Sequence, residues 1–244
     1  MVNRREALKT IGAAAATVVA GAAGVSAMAS CSPDKMKKMK VLLLNGSPHP
    51  AGNTAALLAE AANQFAKNGI DSEIYQIGTA PVRGCIACGQ CYSNRLGRCF
   101  FDDDVCNGLI AKMAECDAII VGSPVYYGMP SGQVLSVLQR MAYSASSVMQ
   151  GKPAAVLTVC RRGGASAAFQ TLQMPFQMLN MPIVTSQYWN IAYGSGQGDV
   201  TQDAEGMQTI RTLADNMAYM LKQFATGTAE KPTREKGVFT NFVR

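Results

Sequence analysis

The chain has 244 residues, enough for one sizeable α/β domain or two small ones, and with 48% apolar and 16% charged residues it excludes global disorder. Its formal net charge of +6 is a diffuse excess, +2 of which comes from Arg4, Arg5 and Lys9 set against Glu6, and it gives no ground for nucleic-acid binding. The 14 methionines read first as core filler.

Residues 1–31 read as a targeting segment and stand outside the fold. A charged start, Asn3-Arg4-Arg5-Glu6-Ala7-Leu8-Lys9, precedes an Ala- and Gly-rich run over residues 11–25. That run is shorter than the ~20 apolar residues needed to span a bilayer. The segment resembles a twin-arginine export signal with Arg4-Arg5 as the pair, although Asn3 and Ala7 stand where Ser/Thr and Phe are commoner. An ordinary Sec signal is the alternative. Ala27-Met28-Ala29 fits a small-x-small cleavage site, whereas Met28-Ala29-Ser30-Cys31 resembles a lipoprotein box that makes Cys31 the acylated first residue. The expectation is a periplasmic or membrane-anchored chain with residues 32–38 as a polar, basic spacer, and any membrane contact made through that lipid. Twin-arginine export carries folded proteins, which agrees with a cofactor loaded before export.

Residues 39–45 (MKVLLLN) form a short apolar run with little alternation, as a strand buried on both faces requires. A loop over residues 46–54 leads into an Ala-rich helix to about residue 67, and residues 72–77 read as a second strand. The cysteine-rich stretch follows as a long loop. Residues 103–115 read as a helix, 117–122 as a strand, 123–130 as a loop and 131–143 as a helix. A fourth strand is expected at 153–159 and a helix at 165–179, which Pro175 would kink. A fifth strand is expected at 182–187, and a long amphipathic helix at 203–224. Strands alternating with helices predict an α/β, flavodoxin-like, doubly wound five-stranded parallel sheet of order 2-1-3-4-5. The domain spans 39–225, the cysteine-rich loop is an insertion on its ligand edge, and 226–244 is a C-terminal tail or arm.

Three loops leave strands at that edge. Gly46 to Thr54 joins a buried strand to a helix, offering free backbone N–H groups, the positive end of a helix dipole and donors on Ser47, Asn53 and Thr54. It lacks the Gly-Lys-Ser/Thr ending of a Walker loop, and a plain capped turn with Asn53 as N-cap is the simpler alternative. Gly122-Ser123-Pro124-Val125-Tyr126-Tyr127-Gly128 adds backbone and two aromatic rings; Cys160-Arg161-Arg162-Gly163-Gly164 adds cations and permits close approach. A flat, phosphate-bearing ligand suits the set, and a flavin mononucleotide suits it best.

With Asn45-Gly46-Ser47-Pro48, Gly52-Asn53-Thr54 and Gly122-Ser123-Pro124-Val125-Tyr126, the chain resembles the NADPH-dependent FMN reductase branch of the flavodoxin superfamily. With its cysteine loop it is similar to the iron–sulfur flavoproteins of that branch. The resemblance implies FMN phosphate binding by Ser47, His49, Asn53 and Thr54. It implies flavin-ring contact by Pro124, Val125, Tyr126, Tyr127 and Gly128, and by Arg161, Gly163 and Gly164. His49 stands where the family often has arginine, and a neutral imidazole would hold a phosphate less firmly. It is also the sole histidine, so no pair with a second one exists. Tyr188-Trp189-Asn190 reads as core or subunit contact, with stacking near the flavin or a substrate as the alternative, and Gly194-Ser195-Gly196-Gln197-Gly198 as a flexible loop.

Five of the 8 cysteines lie between Cys85 and Cys106. Cys85, Cys88 and Cys91 follow each other at C-x2-C-x2-C, and Cys99 comes after seven intervening residues, with Gly89 easing the turn. Three thiolates at that spacing suit a four-iron, four-sulfur (4Fe-4S) cluster. The long last gap, with no following proline, leaves Cys106 as an alternative fourth ligand. Disulfides, which an oxidising compartment permits, and zinc remain open readings. Cys116 and Cys160 read as packing residues, and Asp102-Asp103-Asp104 as an acidic helix start.

The resemblance implies an FMN oxidoreductase that moves electrons from a reduced donor, with NAD(P)H as candidate co-substrate, to a small acceptor such as a quinone or flavin. A non-enzymatic electron carrier or cysteine-rich metal-binding module docked to a membrane partner is the alternative. The flavin carries the chemistry, so no catalytic side chain is expected. A homodimer or homotetramer is expected from the family.

Overall fold

β1 (Lys40–Asn45) is the centre on which the sheet is built. Its last five residues are buried, because helices cover both faces and leave no solvated side on which polar residues could alternate. The computed structural model describes residues 38–230, 232 and 235–238. The expected export signal, Cys31 and residues 32–37 of the expected spacer lie outside the described residues.

β1 pairs in parallel with β2 (Asp71–Gln76) on one side and β3 (Ala118–Tyr126) on the other. A two-residue strand β4 (Met129–Pro130) folds back antiparallel on the end of β3. β5 (Ala154–Cys160) pairs with β3, and β6 (Ile191–Tyr193) with β5, giving the order β2-β1-β3-β5-β6. The five parallel strands thus follow the flavodoxin-like order expected from the sequence.

α1 (Asn53–Lys67) and α7 (Ala204–Thr226) cover one face, packing Leu57, Phe65, Leu213 and Met217 on Val41, Leu43, Ile120 and Leu157. α3 (Cys106–Glu115), α4 (Gly132–Ser144) and α6 (Ala165–Met178) cover the other, with Met113, Val137, Met141 and Phe176 against Leu42, Leu44, Ile119 and Val156. Residues 41 to 44 therefore alternate between two cores, each strand side chain pointing to the face opposite its neighbour's. Two single-turn helices, α2 (Gln90–Ser93) and α5 (Ser146–Met149), and a 3-10 turn at Asp199–Gln202 complete the elements. Pro175 sits inside α6, where it removes one helix hydrogen bond.

Two expectations about elements need correction. Residues 182–187 are not the fifth strand: Ile183 makes a single bridge to Ala154 before the chain leaves the sheet. Polar side chains and carbonyls there tie the segment to α7 instead. Ser186 Oγ donates to Thr209 O (2.6 Å), Asn216 Nδ2 to Thr185 O (2.8 Å) and Thr212 Oγ1 to Gln187 Oε1 (3.0 Å). The fifth strand is β6, reached after Asn190 has accepted a hydrogen bond from Thr158 N (3.0 Å). The third strand also outruns its expected end at residue 122. The β4 hairpin and β5 keep Ser123–Tyr126 paired, so Pro124 and Val125 are presented from a strand end.

Candidate functional site

At the carboxyl edge of the sheet a cleft of about 560 Å³ opens between the ends of β1, β3, β5 and β6. One end is built by the loop from β1 to α1. Asn45 and Ser47 are buried there and organise it locally: Ser47 N donates to Asn45 Oδ1 (3.1 Å), and His49 N to Ser47 Oγ (3.1 Å). Gln76 Nε2 at the end of β2 holds Ser47 O (2.6 Å). The residue before α1 is Gly52, which has no side chain to cap the helix, so the first-turn N–H groups are left without a side-chain acceptor. An anion fits such a helix start, which carries partial positive charge.

The strands approach closely here because two glycines permit it. A Cβ on Gly46 would stand 2.7 Å from Gly122 O, and one on Gly122 would stand 2.9 Å from Thr54 Cγ2. The opposite wall is Pro124, Val125 and Tyr126 from the end of β3, with Val159, Cys160 and Arg161 from the end of β5. The cleft is thus polar and anion-seeking at one end and flatter and more apolar at the other. A flat ligand ending in a phosphate fits it, and its volume lies in the range usual for small-molecule sites.

Of the residues expected in this site, Ser47, His49, Asn53, Thr54, Pro124, Val125, Tyr126 and Arg161 line the cleft. Tyr127, Gly128, Gly163 and Gly164 do not line it in the single chain. Tyr127 is fully exposed and has a left-handed backbone (φ 49°). Gly164 packs on Gly128: its φ is +89°, and a Cβ there would meet Gly128 Cα at 2.6 Å. These two glycines join the β3 and β5 loops. Asn53 does not cap α1 with its side chain, which is committed to the loop at 194–200.

That loop is the part the sequence reading missed. Gly194, Ser195 and Gln197 line the cleft, and Asp199 Oδ2 accepts from Ser195 N (3.2 Å) and Gly196 N (2.5 Å). The 194–198 segment is thereby hydrogen-bonded to Asp199 and to Asn53 at the start of α1. A strand placed at 191–193 would have revealed it, since it would then follow a strand's carboxyl end, where such folds bind ligands. Cys160, read as packing, also lines the cleft; burial pushes its thiol pKa up.

The cysteine stretch forms a second feature. Cys85, Cys88, Cys91 and Cys99 line one small hollow with Arg140, Phe100, Phe101 and Tyr143. Left-handed turns at Ala87 (φ 51°) and Gly89 (φ 69°) lie between successive cysteines. The seven described cysteines are free thiols. Asn107 clamps Cys99 at both backbone ends, accepting from its N–H (2.9 Å) and donating to its carbonyl (3.0 Å). Cys106 is fully buried and does not line the hollow; burial pushes its pKa up to about 12. Burial also raises the pKa of Cys91. Among the described residues no three His, Cys, Asp or Glu are set as ligands of a single metal ion. The four cysteines lining the hollow offer soft sulfur donors, the ligand type that iron–sulfur clusters take.

Asp102, Asp103 and Asp104 do not gather on a metal. They pair with Arg98 (3.3 Å), Arg83 (3.1 Å) and Arg140, and Asp104 Oδ1 accepts from Cys106 N (3.0 Å) at the start of α3. Burial opposes the Asp104 charge, but hydrogen bonds from Cys106 N, Arg140 and Arg83 N hold its carboxyl below the ordinary range.

The hollow and the cleft share no lining residue. α4 starts beside the cleft, where Ser131 Oγ donates to Gly46 O (2.5 Å). The insertion then follows α4 away from that edge, through Gln133 Nε2 to Ala80 O (3.0 Å) and Arg140 to Arg83 O (3.3 Å). At 1.5 Å per residue, Arg140 lies roughly 12 Å along the helix from Gly132.

Comparisons with known proteins agree with this layout. The profile of the NADPH-dependent FMN reductase family matches residues 39–196. An iron-sulfur flavoprotein of Methanocaldococcus jannaschii is 32% identical over 194 residues, 75% of this chain and 98% of that protein. One from Archaeoglobus fulgidus is 30% identical over 193 residues, 72% of this chain and 92% of that protein. Among solved structures, a flavodoxin, WrbA-like protein from Agrobacterium tumefaciens superposes with a TM-score of 0.52 at 18% identity, over 76% of this chain and 98% of that one, a likeness of fold.

Proposed function

The chain belongs to the NADPH-dependent FMN reductase family, and from that premise we propose an exported FMN oxidoreductase that also carries a 4Fe-4S cluster on Cys85, Cys88, Cys91 and Cys99. It moves electrons from a reduced donor, with NAD(P)H as the candidate, to a small acceptor such as a quinone or flavin. The observation that carries the reading is the cleft, with an uncapped helix start at one end and the Pro124–Tyr126 wall at the other.

In this reading the first turn of α1, with Ser47, His49 and Thr54, binds the FMN phosphate. Pro124, Val125 and Tyr126 support the ring from the end of β3, and Arg161 contributes positive charge from the end of β5. Gly194, Ser195 and Gln197 close the remaining side against water. FMN, when bound, supplies hydride acceptance and single-electron transfer. The protein supplies binding, orientation and a shaped cleft, and no side chain acts as nucleophile. The export route, the lipid on Cys31 and assembly as a homodimer or homotetramer belong to the same proposal; similarity to the family and the sequence of residues 1–31 support them.

A second reading, an electron carrier without its own turnover, draws on the rim of the cysteine hollow. Ile86, Phe100 and Tyr143 line it and are 63%, 51% and 55% exposed, an apolar rim of the kind a protein partner covers. Steady-state assays of the FMN-loaded protein with NADH or NADPH and a soluble quinone separate the two. Catalytic quinone reduction supports the oxidoreductase; flavin bleaching without turnover refutes it and leaves the carrier.

A further inference from the structure

Among the described residues Arg140 is the largest fully buried side chain, a charged group at 2% exposure beside the buried Val134, Val137, Leu138 and Met141 of α4. A buried guanidinium is stable only when its charge and its N–H donors are met. Here they are met by the cysteine insertion. Asp104 takes the charge, with the two side chains 1% and 4% exposed. Phe101 O accepts from Nη2 (3.0 Å) and Arg83 O from Nη1 (3.3 Å). The Nε–H goes to Cys99 Sγ at 3.2 Å.

That last contact is the unusual one. A neutral thiol is a weak acceptor, whereas a metal-bound thiolate is a strong one. A fold that buries a permanent cation could aim every donor at carbonyls and carboxylates, yet this one aims a donor at sulfur. The sulfur belongs to the cysteine farthest in sequence from the other three, whose backbone Asn107 already clamps.

We propose that Arg140 is a positioning residue for the cluster, fixing Cys99 Sγ through Nε–H and raising the cluster's reduction potential, with Asp104 as the opposing charge. The proposal rests on the cluster reading above. A donor and a positive charge beside a ligand sulfur draw electron density from it and favour the reduced form. Asp104 weakens that pull, so its loss must act in the opposite sense. A residue that only packed the insertion in place would not produce such a pair of opposite effects.

The test uses the cluster-loaded full chain, with Arg140→Gln, Arg140→Lys and Asp104→Asn variants. Iron and sulfide content are measured first, then the midpoint potential by a titration followed by electron paramagnetic resonance. Arg140→Gln should favour the oxidised form about tenfold or more at fixed potential, about 59 mV for a one-electron couple. Asp104→Asn should shift the midpoint upward, and Arg140→Lys should fall between wild type and Arg140→Gln because it keeps the charge without Nε. Removal of iron by a chelator should be about tenfold faster in both Arg140 variants. If Arg140→Gln does not fold, as circular dichroism would show, the Arg140→Lys and Asp104→Asn shifts decide alone. Potentials that match wild type, or that shift in one direction for all variants, overturn the proposal while leaving the cluster intact. A wild-type chain without iron and sulfide overturns both, and the two failures are told apart by that first measurement.

Discussion

Asn53, the first residue of α1, holds the neighbouring loop at Gly196: its Nδ2 donates to Gly196 O at 2.8 Å, and its Oδ1 accepts from Val200 N at 3.3 Å. One side chain thereby ties the start of α1 to a loop that lines the same cleft. Asn53→Ala should free the 194–200 loop and weaken FMN binding. Loss of two hydrogen bonds at about 1 kcal/mol each corresponds to roughly 10- to 30-fold in Kd. Quenching of flavin fluorescence on binding measures it; an unchanged Kd refutes the role given to this contact.

Gly164 meets Gly128 where the β3 and β5 loops join. An alanine there combines a left-handed φ of +89° with a Cβ placed 2.6 Å from a backbone carbon. Gly164→Ala should lower stability by about 1–3 kcal/mol and reduce FMN affinity with it, because Val125, also 3.1 Å from that Cβ, must move. Urea unfolding with and without FMN measures both effects. A midpoint equal to wild type would count against the packing described.

Cys106 and Cys99 should separate cleanly. Cys99→Ser should lose iron, and Cys106→Ser should keep it. Burial raises the folded-state pKa of Cys106 from 9.0 to about 12. The folded protein therefore holds a proton there that the unfolded chain releases above about pH 9. Stability from this group is full below pH 9 and declines as pH rises from 9 towards 12. Urea midpoints compared on either side of pH 9 should fall in the wild type and fall less in Cys106→Ala. Equal slopes would contradict the burial argument.

Residues 1–31 carry the prediction about location. Substituting Arg4 and Arg5 together by lysine should block export, and Cys31→Ala should abolish labelling by a clickable fatty acid without affecting FMN binding. Labelling that survives in Cys31→Ala would overturn the lipoprotein reading.

Much of the fold was legible because its signals are local. The apolar run 41–44 needs no partner to be recognised as a doubly buried strand, and the glycines at 46 and 122 mark a close approach. The C-x2-C-x2-C spacing is likewise contained in a few residues. What was not legible depends on distant parts of the chain. Residues 182–187 have strand composition, but Ser186 and Thr185 bond to α7, more than 20 residues away. Arg140 reads as one polar position on an amphipathic helix; its burial arises only when the insertion folds over α4, with Cys99 41 residues away in sequence.

The central claim is that one chain holds both a flavin and an iron–sulfur cluster. It is tested most directly by the iron, sulfide and FMN content of the protein purified and reconstituted without oxygen. The account predicts FMN together with iron and sulfide in equal amounts, all iron being lost in Cys85→Ser while FMN is retained. FMN-loaded protein that takes up neither iron nor sulfide would contradict it.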